Sequence, residues 1–137
     1  MKILLDTNLL IPAWLYPSGV CAKVLNKAIE DDNIAIVVCT HSIKEFLSAC
    51  DKKFPNYMDK IQRFLSDSLL PNATLIRTPL EKDKVPDEEL IRDVNDRPIL
   101  RAAIAANVDI IVTGDKDFLE ASLKYPKVMS PVEFINL

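Results

Sequence analysis

Short runs of consecutive apolar residues alternate along this chain with stretches of helical periodicity, and that alternation leaves few architectures open. Lys2-Ile3-Leu4-Leu5 ends in Asp6-Thr7-Asn8 and reads as a buried strand that delivers the chain into a helix. Ile34 to Cys39 is a second run, rich in β-branched residues. Ala73–Ile76, Val108–Thr113 and Lys127–Met129 supply three further strand candidates. A strand that is apolar throughout must be covered on both faces, and strands separated by helices run parallel. The expected fold is therefore α/β, a three-layer α/β/α sandwich with a central, mainly parallel sheet. In such sheets the chemistry sits outside the carboxyl ends of the strands.

Between the strands, Leu9 to Leu15 reads as a short helix stopped by Pro17. In the stretch from Ser18 to Asp31, Val20, Val24, Leu25, Ala28 and Ile29 recur at helical spacing behind a capping Ser18. Residues 42–54 and 56–69 read as two helices broken at Pro55. Arg97 to Ala106 is a helix with Pro98 in its tolerant first turn. Asp117 to Leu123 and Pro131 to Ile135 complete the helical set. The polar, proline-bearing stretch 77–95 reads as loop with a helical turn near Glu88.

The 137 residues suit a single domain, 1–137. No apolar stretch approaches the roughly 20 residues that cross a bilayer. The first carboxylate, Asp6, comes too early for a signal peptide, so a cytoplasmic location with no membrane association is expected. Cys21, Cys39 and Cys50 are odd in number and fit no zinc spacing, which favours free thiols in a reducing compartment. The formal charge of −3 does not advertise nucleic-acid binding at whole-chain level. A local surplus at Lys44, Lys52, Lys53, Lys60 and Arg63 reads first as a solvated helix face.

Three acids, Asp6, Glu45 and Asp115, stand where this topology places chemistry, and Asp96 is a fourth candidate whose place on that edge the topology forces less. Asp6 ends the first strand and Asp115 follows the fourth through Thr113-Gly114, so both point to one sheet edge. Glu45 lies one turn into the helix after the second strand, and Asp96 opens the helix before the fourth. Each also has a capping explanation: Ser42-x-x-Glu45 is a capping box, and Asp6, Asp96 (or Asn95) and Asp115 could each cap a helix. Together they are harder to dismiss. Clustered carboxylates raise one another's pKa, a divalent cation relieves this, and all-oxygen donors select a hard ion, Mg²⁺ or Mn²⁺. His41, the one histidine, reads as a structural neighbour of the site.

These motifs resemble the PIN (PilT N-terminus) domain family. Leu5-Asp6-Thr7-Asn8, Ser42-Ile43-Lys44-Glu45-Phe46, Arg92-Asp93-Val94-Asn95-Asp96 and Val112-Thr113-Gly114-Asp115-Lys116-Asp117-Phe118 stand in the family's order and spacing. Pro17-Ser18-Gly19 and Ser130-Pro131-Val132-Glu133-Phe134 resemble the VapC-like branch, the toxin components of toxin–antitoxin pairs. The resemblance implies that Asp6, Glu45, Asp96 and Asp115 bind metal and are catalytic. It implies support from Asn8, Thr113, Asp117, Asp93 and Ser42. It implies an endoribonuclease that cuts single-stranded RNA with Mg²⁺ or Mn²⁺, an antitoxin partner and a homodimer. Asn95 departs from the branch, which often carries a third acid there.

Rival readings fit less well. A degenerate PIN domain that binds RNA or protein without cutting is the main one, and the intact acidic set argues against it. A receiver domain would need an acid pair after the first strand. An aspartyl phosphatase would need an Asp where Asn8 stands. A calcium loop would need a ligand rhythm that residues 81–93 lack. For dimerisation, Trp14, Tyr16, Val20, Val24 and Leu47 are candidates, with ordinary core the preferred reading of the valines.

Overall fold

The five apolar runs become five strands in a computed structural model that describes residues 1–137. They are β1 (Lys2–Leu5), β2 (Ala35–Cys39), β3 (Ala73–Ile76), β4 (Ile110–Val112) and β5 (Lys127–Met129). They form one sheet in the order β3-β2-β1-β4-β5, and every neighbouring pair is parallel. Seven α-helices accompany them: α1 (Thr7–Leu15), α2 (Val20–Glu30), α3 (Thr40–Lys53), α4 (Met58–Arg63), α5 (Arg97–Ala105), α6 (Lys116–Leu119) and α7 (Pro131–Ile135).

The period-two alternation of strand side chains divides the core into two layers. Ile3, Leu5, Ile36, Val38, Ile110 and Val112 point to one face, where they pack against α1–α4 and α7 through residues such as Leu9, Val24, Phe46, Ile61 and Phe134. Leu4, Val37, Cys39 and Ile111 point to the other, against Ile99 and Leu100 of α5 and Phe118 of α6. Strand order reverses between β1 and β4, and the connecting helices change face with it, as crossovers of one hand require. No helix is long and apolar enough to cross a membrane. All three cysteines are free, with Cys39 and Cys50 buried.

Several local expectations are revised, and one is the Ser18 cap: α2 is preceded by Gly19 and has no side-chain capping bond. α3 begins at Thr40, two residues before the expected start, so Ser42 is not its N-cap and the Ser42–Glu45 capping box does not form. Ser42 is buried with its Oγ 3.4 Å from Cys39 Sγ. The helix start is satisfied from afar instead: the His41 amide donates to Thr78 Oγ1 at 2.9 Å, and the Thr78 amide donates to Thr40 Oγ1 at 3.1 Å. The expected helix over 56–69 divides into a 3-10 turn, α4 and a π-helical stretch, Phe64–Leu69. Its wider turn keeps Ile61, Leu65 and Leu69 on the core side.

β4 is shorter than 108–113 because Val108 closes α5. Asn107 takes a left-handed φ of 54°, its amide donates to Ile104 O, and the Val108 amide donates to Ala103 O. This is a Schellman stop with Asn in the place usually held by Gly. α6 is Lys116–Leu119 and not 117–123. Among the residues considered for dimerisation, Val24 is core, Trp14 stacks edge-on against Phe54 and Tyr57, and Tyr16 remains 61% exposed.

Candidate functional site

Leu5 of β1 pairs in register with Val112 of β4, so Asp6 and Thr113 leave the sheet side by side where the strand order reverses. Such a reversal opens a crevice at the carboxyl edge, because the chains beyond the two strands depart in opposite directions. Asp6 caps α1 by accepting the Thr7 amide on Oδ1 at 2.7 Å, and its Oδ2 accepts the Thr113 hydroxyl at 2.6 Å. It is only 3% exposed. Burial pushes its carboxyl up to about 6 despite these two donors, with smaller contributions from the charges of Asp115 and Glu45.

The Thr113 hydroxyl also accepts the Asp115 amide at 3.0 Å, which locks the Thr113-Gly114-Asp115 turn against Asp6. Asp115 caps α6 by accepting the Asp117 amide on Oδ1 at 2.9 Å. Asp96 precedes α5 but makes no capping bond. Its carboxyl is thereby left for the site, where it hydrogen-bonds Asp115. Burial first, then that bond and the charges of Asp115, Asp6 and Asp93, push it up to about 8. Asp93 is exposed and accepts the Asn95 amide at 2.9 Å, which shapes the turn into Asp96.

Glu45, brought by α3, accepts the Thr7 hydroxyl at 3.1 Å and lies 3.0 Å from His41 Nε2. His41 Nε2 is also 3.0 Å from the Asn95 carbonyl; two acceptors require that nitrogen to carry a proton. Asn8 Oδ1 accepts the Gly114 amide at 3.4 Å. Ser42, in the first turn of α3, is buried against Cys39 and makes no hydrogen bond to the carboxylates.

The tightest acidic group is Asp96, Asp115 and Asp117, each offering a carboxylate oxygen within 4.8 Å of the others. Asp6 and Glu45 stand outside this trio but close enough to influence it or each other electrostatically. Two residues at the site escaped the sequence reading. Thr7 ties Glu45 to the end of β1. Arg92 holds Asp117 Oδ1 from Nη2 at 2.8 Å and from Nε at 3.1 Å, and reaches Glu120 at 3.6 Å. Their signal was adjacency: Thr7 sits inside Asp6-Thr7-Asn8, and Arg92 opens the segment that ends in Asp96. An all-carboxylate donor set, in which burial and neighbouring acids push Asp96 up to about 8, fits a hard divalent cation.

The sequence matches the PIN domain family over residues 2–117, and the chain belongs to that family. It is 27% identical over 147 aligned positions to the uncharacterized protein MJ1680 of Methanocaldococcus jannaschii, spanning 99% of this chain and 90% of the relative. Solved structures share the fold. VapBC2 of Rickettsia felis, crystallised with a DNA fragment from its promoter, superposes with a TM-score of 0.69 at 17% identity, covering 95% of this chain and 98% of that one. FitAcB of Neisseria gonorrhoeae gives 0.67 at 19% identity, with coverage of 95% and 98%. PAE2754 of Pyrobaculum aerophilum gives 0.65 at 16% identity, with coverage of 100% and 91%.

Proposed function

We propose that this chain is a metal-dependent endoribonuclease that hydrolyses phosphodiester bonds of single-stranded RNA. The observation that carries the reading is the Asp96–Asp115–Asp117 trio, its oxygens within 4.8 Å of one another at the carboxyl edge of the sheet beside buried Asp6. Asp96, Asp115 and Asp117 would hold Mg²⁺ or Mn²⁺, with Asp6 and Glu45 completing the negative field around it. Such an ion supplies a more acidic water and positive charge against a phosphodiester.

The chain's own residues do the positioning. Thr113 holds Asp6 and, through the Asp115 amide, fixes the turn that presents Asp115. Thr7 and His41 hold Glu45 toward the same edge. Asn8 and the Gly114 amide close the floor between β1 and β4. Asp96, pushed up to about 8, would have to release its proton to serve as a ligand, which would couple cation binding to pH.

The resemblance to VapC-like proteins and the shared fold with VapBC2 support a role as the toxin of a toxin–antitoxin pair. An antitoxin offering a basic side chain would complement an acidic crevice. A homodimer belongs to the same reading.

The test is cleavage of a labelled mixed-sequence single-stranded RNA with Mn²⁺, with Mg²⁺ and with excess chelator, beside Asp115→Asn and Asp6→Asn. Metal-dependent cutting that both variants lose supports the assignment. Cutting by Asp6→Asn at the wild-type rate removes Asp6 from it. Neither cutting nor metal binding favours the second reading, a degenerate PIN domain that binds RNA or protein.

A further inference from the structure

A groove of about 760 Å³ adjoins the acidic crevice, walled by the first turns of α3, the segment after β3 and the start of α5. That volume lies within the range of real ligand sites. Its charge is opposite to the crevice and to the chain as a whole. Lys44, Arg77, Lys84 and Arg97 line it, and none of the four lies within 4.0 Å of a carboxylate oxygen. The fifth cation, Arg101, is spent at the base on Glu88, with two bonds of 2.8 Å between buried side chains. Glu81 is the one remaining acid in the lining. Unpaired cations converging on a concave surface concentrate potential there, even in a chain whose formal charge is −3.

Two further observations choose among anions. The groove runs into the acidic crevice: His41 lines it and contacts Glu45, and Asn95 and Arg97 line it on either side of Asp96. A bound chain could therefore lie in the groove and continue into the crevice. Leu80 and Val94, 62% and 61% exposed, also stand in the lining and add apolar surface to it. A single strand of nucleic acid brings regularly spaced phosphates to such cations and the apolar faces of its bases to the aliphatic side chains beside them.

We infer that this groove is a subsite for single-stranded RNA, in which Lys44, Arg77, Lys84 and Arg97 hold backbone phosphates beside the one cut at the acidic crevice. The inference rests on the reading of the chain as acting on RNA, and it assigns these cations to affinity and not to chemistry. The buried Glu88–Arg101 pair anchors the loop that carries Lys84, so the groove keeps its shape without ligand.

The experiment is fluorescence anisotropy of a labelled 12-nucleotide single-stranded RNA over a salt series, in excess chelator so that no cutting intervenes. The exposed pair is reversed in Arg77→Glu/Lys84→Glu, and Lys23→Glu on α2 is the control. The groove variant should bind at least about tenfold more weakly, with a salt slope shallower by about 1 or more. The control should match wild type, and Mn²⁺ titration and thermal melting should be unchanged in both. With Mn²⁺ present, the groove variant should show a raised KM with kcat preserved. Equal RNA affinity in wild type and groove variant overturns the inference, as does equal loss in the control. Displacement of RNA by polyglutamate at matched charge and ionic strength overturns it in favour of an acidic protein segment. Groove-dependent binding without any cutting upholds the inference while removing the nuclease reading.

Discussion

The Thr113 hydroxyl donates to Asp6 Oδ2 at 2.6 Å while accepting the Asp115 amide at 3.0 Å, so one side chain fixes the first carboxylate of the chain and the turn bearing Asp115. Replacing it tests how much the buried carboxylate depends on that donor. Thr113→Val keeps the shape and removes the hydroxyl, leaving Asp6 with the Thr7 amide alone. Urea denaturation at pH 7.5 should show a loss of about 1–3 kcal/mol. An unchanged midpoint would mean that solvent replaces the hydroxyl.

Stability should fall as pH rises in the presence of chelator. Asp6 and Asp96 have folded-state values of about 6 and about 8, above their ordinary 3.8. The folded state therefore binds protons more tightly than the unfolded one between about pH 4 and pH 8, and stability declines across that window. Asp6 alone accounts for about 3 kcal/mol by this linkage. Mg²⁺ or Mn²⁺ should raise Tm more at pH 8 than at pH 5. Equal shifts at both would show that the ion binds elsewhere.

The Glu88–Arg101 pair behaves oppositely. Its hydrogen bonds to Arg101 hold Glu88 down at about 2, so its contribution is complete above the ordinary carboxylate range and is lost as pH falls toward 2. Glu88→Gln leaves a buried guanidinium without its counter-charge and should cost about 3–5 kcal/mol. Glu88→Met combined with Arg101→Met should recover most of that. Chemical denaturation of the three proteins decides it, and a double variant no better than the single one would contradict the argument.

Gly114 offers a cleaner separation of fold from function. A Cβ built there meets nothing within 4 Å, and its φ is not left-handed. Gly114→Ala should therefore leave stability unchanged or raise it by about 0.4–1 kcal/mol through the unfolded chain. The same methyl group adds bulk in open space on the turn that presents Asp115, so RNA cleavage should drop if substrate approaches the backbone there. Full activity with raised stability would show that substrate does not approach the backbone there.

What could be read in advance follows the range of the interactions concerned. β1 and β4 declare themselves through their own apolar side chains, and with parallel pairing Asp6 and Asp115 must share an edge. The start of α3 could not be read from Ser42 and Glu45, because Thr78, a residue beyond β3, satisfies its first turn. Glu88 lay in a stretch that looked like open loop, since its partner Arg101 is hidden on the inner side of an ordinary helix. Asp117 passed for a helper because its closeness to Asp96 depends on how α5 meets α6. The basic surplus at residues 44–63 is exposed, as a solvated helix face would be; only Lys44 of it reaches the groove, and Arg77, Lys84 and Arg97 come from other segments.

The central position of β1 also bears on how the site assembles. Asp6 precedes its hydrogen-bond partner Thr113 by 107 residues, and the closest acidic trio comes entirely from residues 96–117. A nascent chain that has made β1, β2 and β3 has a sheet with one flank of β1 still vacant and no assembled acidic pocket. The acidic pocket therefore assembles only when β4 docks on the vacant flank of β1, so closing the sheet and building the site are one event.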